Sequence, residues 1–351
     1  MSSQIERRKF LTRGLALVGL AVAGPAVLSG CVSSGSDGGN TQGFGTASLR
    51  LAWIKNTQFA GSYFADKNGY FTEGGFSGSN LVSGGPTAPP IESDVLANTF
   101  AGVSQVPIVG SAVAKGAPLK IVGAVYSRYP GCVMTMSNNP VKTPEDLYGK
   151  TIGCASSSQP VWRNFIATLG LDESRITTVP VQGDPIGMTA GQFDGYVGFI
   201  NNQVVDLRHK GFDITTMLLS DVGFPLVGQT YITTQDNIDK NRTKLKAFLK
   251  AEIRGWRDVL ANPQLATDLT VNEYGKTLNL DPQSTYDSCL AGNKLILNGQ
   301  PRQQLLAISD ATAATNIQSI AAGGIKLSAN QLFELGPIRE VYEENPDLTL
   351  A

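Results

Sequence analysis

The sequence predicts an α/β protein built on doubly wound sheets, with strands and helices alternating along the chain. Short apolar runs typical of buried strands are followed by segments that carry a helical apolar stripe. No long hairpin signal interrupts the alternation, which favours parallel pairing with helices on both faces of a sheet. The chain has 351 residues, of which 321 follow residue 30, so two domains with separate cores fit its length.

The stretch 49–71 is the first of these strand-and-helix units. The run 49–54 is largely apolar and has the length of a buried strand, and a helical stripe begins at Phe59. We predict that the helix ends at Gly69, because glycine readily adopts the left-handed conformation that stops a helix. The loop 55–58 then follows the carboxyl end of a strand and precedes a helix, which is where open α/β sheets bind ligands.

Two stretches of the sequence resemble the solute-binding proteins of ABC importers. The second runs from 181 to 196, and the first reads Trp53-x-x-Asn56-x-Gln58-Phe59-Ala60-Gly61. They look most similar to the branch that binds thiamine-pyrimidine precursors, riboflavin, nitrate and sulfonates. That family has the two-domain periplasmic-binding-protein fold of type II, in which two doubly wound sheets are joined by two hinge crossings. The resemblance covers about 49–266 and implies the same fold here.

The N-terminus has the features of an export signal with a lipidation site. Arg7-Arg8-Lys9 precedes an apolar run at 14–28, which is shorter than the roughly 20 residues that a membrane span needs. The paired arginines resemble a twin-arginine signal, and Leu28-Ser29-Gly30-Cys31 resembles a lipobox. We therefore predict a signal peptide at 1–30 and a lipidated Cys31 that anchors an exported protein in the periplasm or at the outer face of the cell membrane. The alternative is a buried N-terminal helix with an ordinary cysteine.

The segment after the signal peptide and the overall charge exclude some partners. Residues 31–47 are rich in glycine and serine, which predicts a flexible tether. The whole chain has 28 basic and 29 acidic side chains, and 24 and 28 remain once residues 1–30 are removed. The resulting net charge of −4 comes with no basic run, so nucleic acid is not an expected partner.

Three cysteines follow Cys31, at Cys132, Cys154 and Cys289. Their number is odd and their spacing does not pair them as metal ligands, so we predict no metal site. Cys132 and Cys154 could form a disulfide in an oxidising compartment, although buried free thiols are favoured.

The remaining elements are divided by two predicted crossings, near 126–131 and 223–229. Domain one comprises 48–128 and 226–351, and domain two comprises 129–225. The predicted strands of these domains lie at 79–82, 102–104, 119–126, 195–200 and 214–219. Predicted helices contain or begin at Val95, Val109, Pro144, Val161 and Pro185, and helical spacing dominates from Asn241 onward.

A ligand site is expected in the cleft between the domains, on loops that follow strands. Its residues, carried over from the resemblance and the predicted strand ends, are Trp53, Asn56, Gln58, Ser104, Gln105 and Tyr126 from domain one, and Ser156, Ser157, Trp162, Asp184, Asn201 and Asn202 from domain two. Aromatic and amide side chains suit a planar nitrogen heterocycle, whereas an anion requires a cation or several convergent N–H groups. The alternative roles are core packing for Trp53 and Tyr126 and helix capping for the serines. Trp162 falls outside the apolar face of its predicted helix.

These observations predict a lipid-anchored, monomeric solute-binding protein that delivers a thiamine-pyrimidine precursor or a flavin to an ABC permease and its ATPase. Two alternatives stay open: a binding protein for nitrate or sulfonate anions, and an enzyme similar to the pyrimidine synthases. The cysteine-rich motif of those synthases is missing. His209, the only histidine in the chain, is expected to be solvated, which leaves no Ser-His-Asp or Cys-His arrangement. We predict no enzymatic activity and no cofactor, since no nucleotide-binding glycine motif occurs.

Overall fold

Two five-stranded sheets with surrounding helices form the structure, which is a computed structural model. It describes residues 43–298 and 303–350, so the predicted signal peptide, Cys31 and most of the predicted tether lie outside the described residues. The strands are β1 (Thr46–Arg50), β2 (Gly78–Val82), β3 (Ala101–Ser104), β4 (Leu119–Tyr126), β5 (Gly131–Met136), β6 (Thr151–Ala155), β7 (Thr177–Val181), β8 (Gly195–Phe199), β9 (Ile214–Leu218) and β10 (Gly228–Thr234). The helices are α1 (Ala60–Lys67), α2 (Tyr70–Glu73), α3 (Ile91–Ala97), α4 (Val106–Ala114), α5 (Gln159–Thr168), α6 (Ile186–Thr189), α7 (Gln203–His209), α8 (Gln235–Lys240), α9 (Arg242–Ala261), α10 (Pro263–Leu269), α11 (Pro282–Leu297), α12 (Asp310–Ala322), α13 (Ala329–Leu332) and α14 (Gly336–Glu344).

The strand order confirms the predicted α/β fold of type II but corrects the predicted strand directions. The first sheet has the order β2-β1-β3-β10-β4 and the second has the order β7-β6-β8-β5-β9. Both sheets are mixed rather than parallel, because β10 and β5 run antiparallel to their neighbours. Each of these strands follows a direct passage from the other sheet. The direction of each strand is therefore set by the passage between the sheets and not by a helical crossover within one sheet.

The passages between the sheets define two lobes. The first lobe consists of residues 43–126, 228–298 and 303–350 with the first sheet, and the second lobe consists of residues 131–218 with the second sheet. The predicted domain boundaries, which lie within a few residues of these limits, stay a prediction. One buried cluster joins the lobes, since it contains Ile121 and Ile232 from the first sheet and Val133 and Phe165 from the second lobe.

The opening unit has the predicted order but different strand limits. Strand β1 starts at Thr46, so Thr46 and Ala47, which we assigned to the tether, belong to the first sheet. It ends at Arg50 rather than near residue 54, because its register with β2 ends at the pair Arg50 and Val82. The following helix α1 stops as predicted, with Gly69 in the left-handed conformation at a φ of 73°.

The lone histidine and the cysteines occupy defined environments. His209 is not simply solvated: its Nε2 lies 2.6 Å from Asp287 Oδ2, which joins α7 of the second lobe to α11 of the first. Cys132, Cys154 and Cys289 are buried free thiols, as the sequence favoured. Burial raises the pKa of Cys132 and Cys154 to about 12, so both thiols stay protonated and unreactive. In the described residues, no helix has the length and apolar character needed to cross a membrane.

Candidate functional site

A cavity lies between the two sheets, where strand ends from both lobes meet. Its empty space is about 890 Å³, including the part open to solvent. The first lobe contributes residues that follow β1, end β3 and begin β10, and the second lobe contributes the ends of β6 and β8. The lining residues are Ala52, Trp53, Gln58, Phe59, Ile91, Ser104, Gln105, Ile108, Tyr129, Ala155, Ser157, Ser158, Val161, Tyr196, Val197, Gly198, Phe199, Asn202, Gln203 and Gln229. We call this space the central cavity.

About half of the predicted site residues line the central cavity. They are Trp53, Gln58, Ser104, Gln105, Ser157 and Asn202. Asn56 and Asp184 line an outer groove that shares Trp53 and Asn202 with the central cavity. Asn56 also organises the loop before α1, because its Oδ1 accepts a hydrogen bond from the Gln58 backbone N–H at 3.0 Å and caps the short helical turn there. The two spaces are thus neighbours that meet at Trp53.

The other four predicted residues do not line the central cavity. Ser156 is exposed. Tyr126 and Asn201 are buried against each other, with Asn201 Nδ2 donating to the Tyr126 hydroxyl at 3.0 Å. Trp162 is 1% exposed and donates from Nε1 to Thr178 Oγ1 at 3.0 Å. Thr178 lies on β7, a strand that the sequence analysis did not predict. That strand covers the side of α5 that we expected to face the cleft.

Several lining residues were missed by the sequence analysis. Gln203 directly follows the predicted Asn202, so the polar run after β8 was a usable signal for it. Tyr129 lies in the first crossing and Tyr196 lies inside β8, where both look like ordinary structural residues. Gln229 has a φ of 53° although it is not glycine. Such strained backbone recurs at ligand-binding positions, but no sequence signal marks it.

The polar groups of the central cavity are neutral. Among the residues described by the structure, none of the side chains that line it carries a formal charge. Burial raises the pKa of the Tyr129 and Tyr196 hydroxyls above the ordinary value of 10, so both keep their protons at neutral pH. The site therefore offers aromatic rings, amides and hydroxyls, without an arginine or lysine to balance a bound anion.

Two mixed five-stranded sheets with a cavity at their facing strand ends define the class of type II periplasmic solute-binding folds. A solved structure with this fold is the periplasmic aliphatic sulphonate binding protein SsuA from Escherichia coli. It matches with a TM-score of 0.65 and 15% identity over 82% of this chain and 92% of that chain. The chain belongs to the NMT1/THI5-like family, whose model matches residues 56–266. The resemblance found in the sequence is thereby confirmed.

Two curated relatives are similar to this chain over most of the same region. The riboflavin-binding protein RibY of Chloroflexus aurantiacus is 30% identical over 238 residues, which cover 64% of this chain and 65% of that protein. The chain therefore spans just under two thirds of that relative. The formylaminopyrimidine-binding protein of Halalkalibacterium halodurans is 26% identical over 230 residues, which cover 64% of this chain and 69% of that protein.

Proposed function

We propose that the protein is the solute-binding component of an ABC importer and captures a neutral, planar nitrogen heterocycle in the central cavity. A flavin such as riboflavin or a thiamine-pyrimidine precursor fits this description. Family membership and the ligands for which the two relatives are named support the proposal. The bound solute would pass to a permease and its ATPase, and the protein would act as a monomer.

The observation that carries this proposal is the uncharged lining of the central cavity. Trp53, Phe59, Tyr129 and Phe199 provide aromatic surface, and amide side chains provide donors and acceptors. Burying a nitrate or sulfonate anion there would cost several kcal/mol unless a cation or several N–H groups compensated for its charge. The absence of a lining cation in the described chain therefore favours a neutral ligand over the anions.

A thermal-shift screen tests the proposed ligand class. Riboflavin or 4-amino-5-hydroxymethyl-2-methylpyrimidine is expected to raise the melting temperature, because a ligand that binds the folded state stabilises it by mass action. Nitrate and alkyl sulfonates are expected to have no effect. Stabilisation by the anions alone would contradict the proposed ligand class. Mass analysis of the ligand after incubation tests the enzyme alternative, since a binding protein returns its ligand unchanged.

We also propose that the protein is exported and anchored through a lipid on Cys31. The order of paired arginines, apolar segment and Leu28-Ser29-Gly30-Cys31 supports this. Replacing Cys31 by alanine is expected to abolish lipidation and to move the protein from the membrane fraction to the soluble fraction. Fractionation with mass analysis of the N-terminus measures both effects. A Cys31→Ala protein that is still cleaved and membrane-bound would show that the anchor lies elsewhere.

Trp53, which lines both the central cavity and the outer groove, contacts the second lobe at Gly183. The indole of Trp53 rests against Gly183 of the second lobe, where an added Cβ would lie 2.8 Å from Trp53 Cη2. Gly183→Ala is expected to weaken riboflavin binding about tenfold, since the methyl group keeps the lobes apart. Fluorescence titration measures the affinity, and small-angle scattering measures the compaction on binding.

Gly191→Ala is the matched control for that substitution. Gly191 also has a positive φ, at 72° against 93° for Gly183, but nothing lies within 4 Å of an added Cβ. Both variants therefore acquire similar backbone strain, and only one acquires a clash with the other lobe. Equal affinities for riboflavin in the two variants would show that Trp53 and Gly183 do not control closure.

A further inference from the structure

The Ser104 hydroxyl lines the central cavity, but its proton is already used in a hydrogen bond to another side chain. The side chain lies at the end of β3, lines the cavity and is 1% exposed. Its Oγ donates a hydrogen bond to the Glu92 carboxylate, and Glu92 on α3 is itself 8% exposed and outside the cavity lining. A hydroxyl has one proton and two acceptor lone pairs. What Ser104 can still offer a ligand is therefore an acceptor.

Helix α3, which carries Glu92, is held in place by Arg50, and this fixes the position of the Glu92 carboxyl group. Arg50 at the end of β1 is 3% exposed, and its Nε lies 2.7 Å from Asp94 Oδ2 on α3. The Arg50 guanidinium also donates to the backbone carbonyl of Ser83. Glu92 is two residues from Asp94 on the same helix. The ion pair between Arg50 and Asp94 therefore holds the part of the helix that presents Glu92 to Ser104.

Each of the three glutamines that the first lobe contributes to the cavity also has one end of its amide in a hydrogen bond. The Tyr129 hydroxyl donates to Gln105 Oε1 at 2.6 Å, and Asn56 Nδ2 donates to Gln58 Oε1 at 3.3 Å. Among the residues that the structure describes, the Nε2 groups of Gln105 and Gln58 have no acceptor and can donate to a ligand. Gln229 is reversed, because its Nε2 donates to the backbone carbonyl of Gln58 and leaves Oε1 as an acceptor.

We infer that Glu92 is a positioning residue that sets ligand specificity through Ser104, and that the site requires an N–H or O–H donor on the ligand at this point. The inference rests on the proposed function. The ligand edge that faces the first lobe must combine a donor for Ser104 or Gln229 with acceptors for Gln58 and Gln105. Neutral heterocycles with ring or exocyclic N–H groups beside carbonyl or ring nitrogen acceptors have this edge. Acceptor-only oxyanions lack it.

A double-mutant cycle tests the role of Glu92. The neutral amide of Glu92→Gln can donate to Ser104 Oγ, which turns the serine proton toward the ligand donor and is expected to weaken binding at least tenfold. Ser104→Ala is expected to weaken binding about tenfold, because the ligand donor loses its acceptor. In the Ser104→Ala background, Glu92→Gln is expected to have no further effect, since Glu92 acts through the serine. Titration calorimetry gives the affinities for riboflavin and, separately, for 4-amino-5-hydroxymethyl-2-methylpyrimidine. The comparison shows which of the two compounds supplies the donor to Ser104.

The outcomes separate this inference from the function on which it rests. The inference is supported if each single variant loses affinity as expected and the double variant loses no more affinity than Ser104→Ala alone. Wild-type binding that is unchanged by Glu92→Gln, or losses that add, would overturn the inference and leave the proposed function intact. If neither compound binds the wild type, both proposals fail. Should Glu92→Gln not fold, Ser104→Ala alone decides, because unchanged affinity in that folded variant would rule out a donor contact at Ser104.

Discussion

Substituting valine for Gly255 is expected to lower the free energy of unfolding by about 3 kcal/mol or more. Gly255 lies on α9 where it packs against the backbone of α1, and an added Cβ would lie 2.9 Å from Gly61 C and 3.1 Å from Ala65 N. These neighbours are backbone atoms, which cannot rotate away as a side chain does. The facing glycine on α1, Gly61, also has no room for a side chain, because an added Cβ would lie 2.5 Å from the ring of Trp256.

Urea denaturation of Gly255→Val against the wild type measures this effect. The control is Thr243→Val, which places the same β-branched side chain on an exposed position of the same helix. It is expected to change the free energy of unfolding by less than about 0.5 kcal/mol. A Gly255→Val protein that unfolds at the same urea concentration as this control would show that the two helices separate without cost.

Local patterns in the sequence predicted the elements that bury one clear apolar face or carry an explicit stop signal. Strand β4 has the predicted limits, Leu119–Tyr126, and α11 (Pro282–Leu297) lies in the region where helical spacing was predicted to dominate. Strands β5 and β10 were not predicted, and both run antiparallel in the middle of a sheet. Their direction depends on how the chain passes between the lobes, which is a tertiary property that periodicity does not encode.

The candidate site shows the same division between local and tertiary signals. Positions directly after predicted strands, such as Gln58, Gln105 and Asn202, do line the central cavity. Trp162 was misplaced because the strand that covers it, β7, was not recognised. Gln229 could not be found from local sequence, since its role depends on a strained backbone at the start of β10. Glu92 influences the site only through its hydrogen bond to Ser104. No sequence motif links helix α3, which carries Glu92, to strand β3, which carries Ser104.

The second large effect concerns the pH dependence of stability and arises at Glu252. This carboxyl is 0% exposed on α9, and its Oε2 accepts from the Ser62 hydroxyl at 2.9 Å and the Tyr231 hydroxyl at 2.6 Å. Among the described residues, Oε1 has no hydrogen-bond partner. Burial is the main cause that raises the pKa of Glu252 from 4.5 to about 7, although the two hydroxyl donors oppose it. The folded protein therefore retains a proton that the unfolded chain releases.

Because this pKa is raised on folding, its stabilising contribution is complete below about pH 4.5 and declines as the pH rises to about 7. The rise in the pKa of Glu252 from 4.5 to about 7 corresponds to roughly 3 kcal/mol in the free energy of unfolding. We expect Glu252→Gln to remove this decline, since the amide keeps the acceptor for Ser62 and Tyr231 and does not ionise. The variant should be more stable than the wild type at pH 8, and no more stable at pH 4.5, where its extra N–H donors lack partners.

Urea unfolding of wild type and variant between pH 4.5 and 8 measures the two profiles. Glu340→Gln is the control, because hydrogen bonding from Arg242 lowers the pKa of Glu340 and places its effect below this pH window. In the control, the free energy of unfolding is expected to decline from acid to neutral pH as it does in the wild type. A decline that persists in Glu252→Gln would assign the pH dependence to another group. A flat profile in that variant alone would identify Glu252 as the group that makes the wild type less stable at neutral pH.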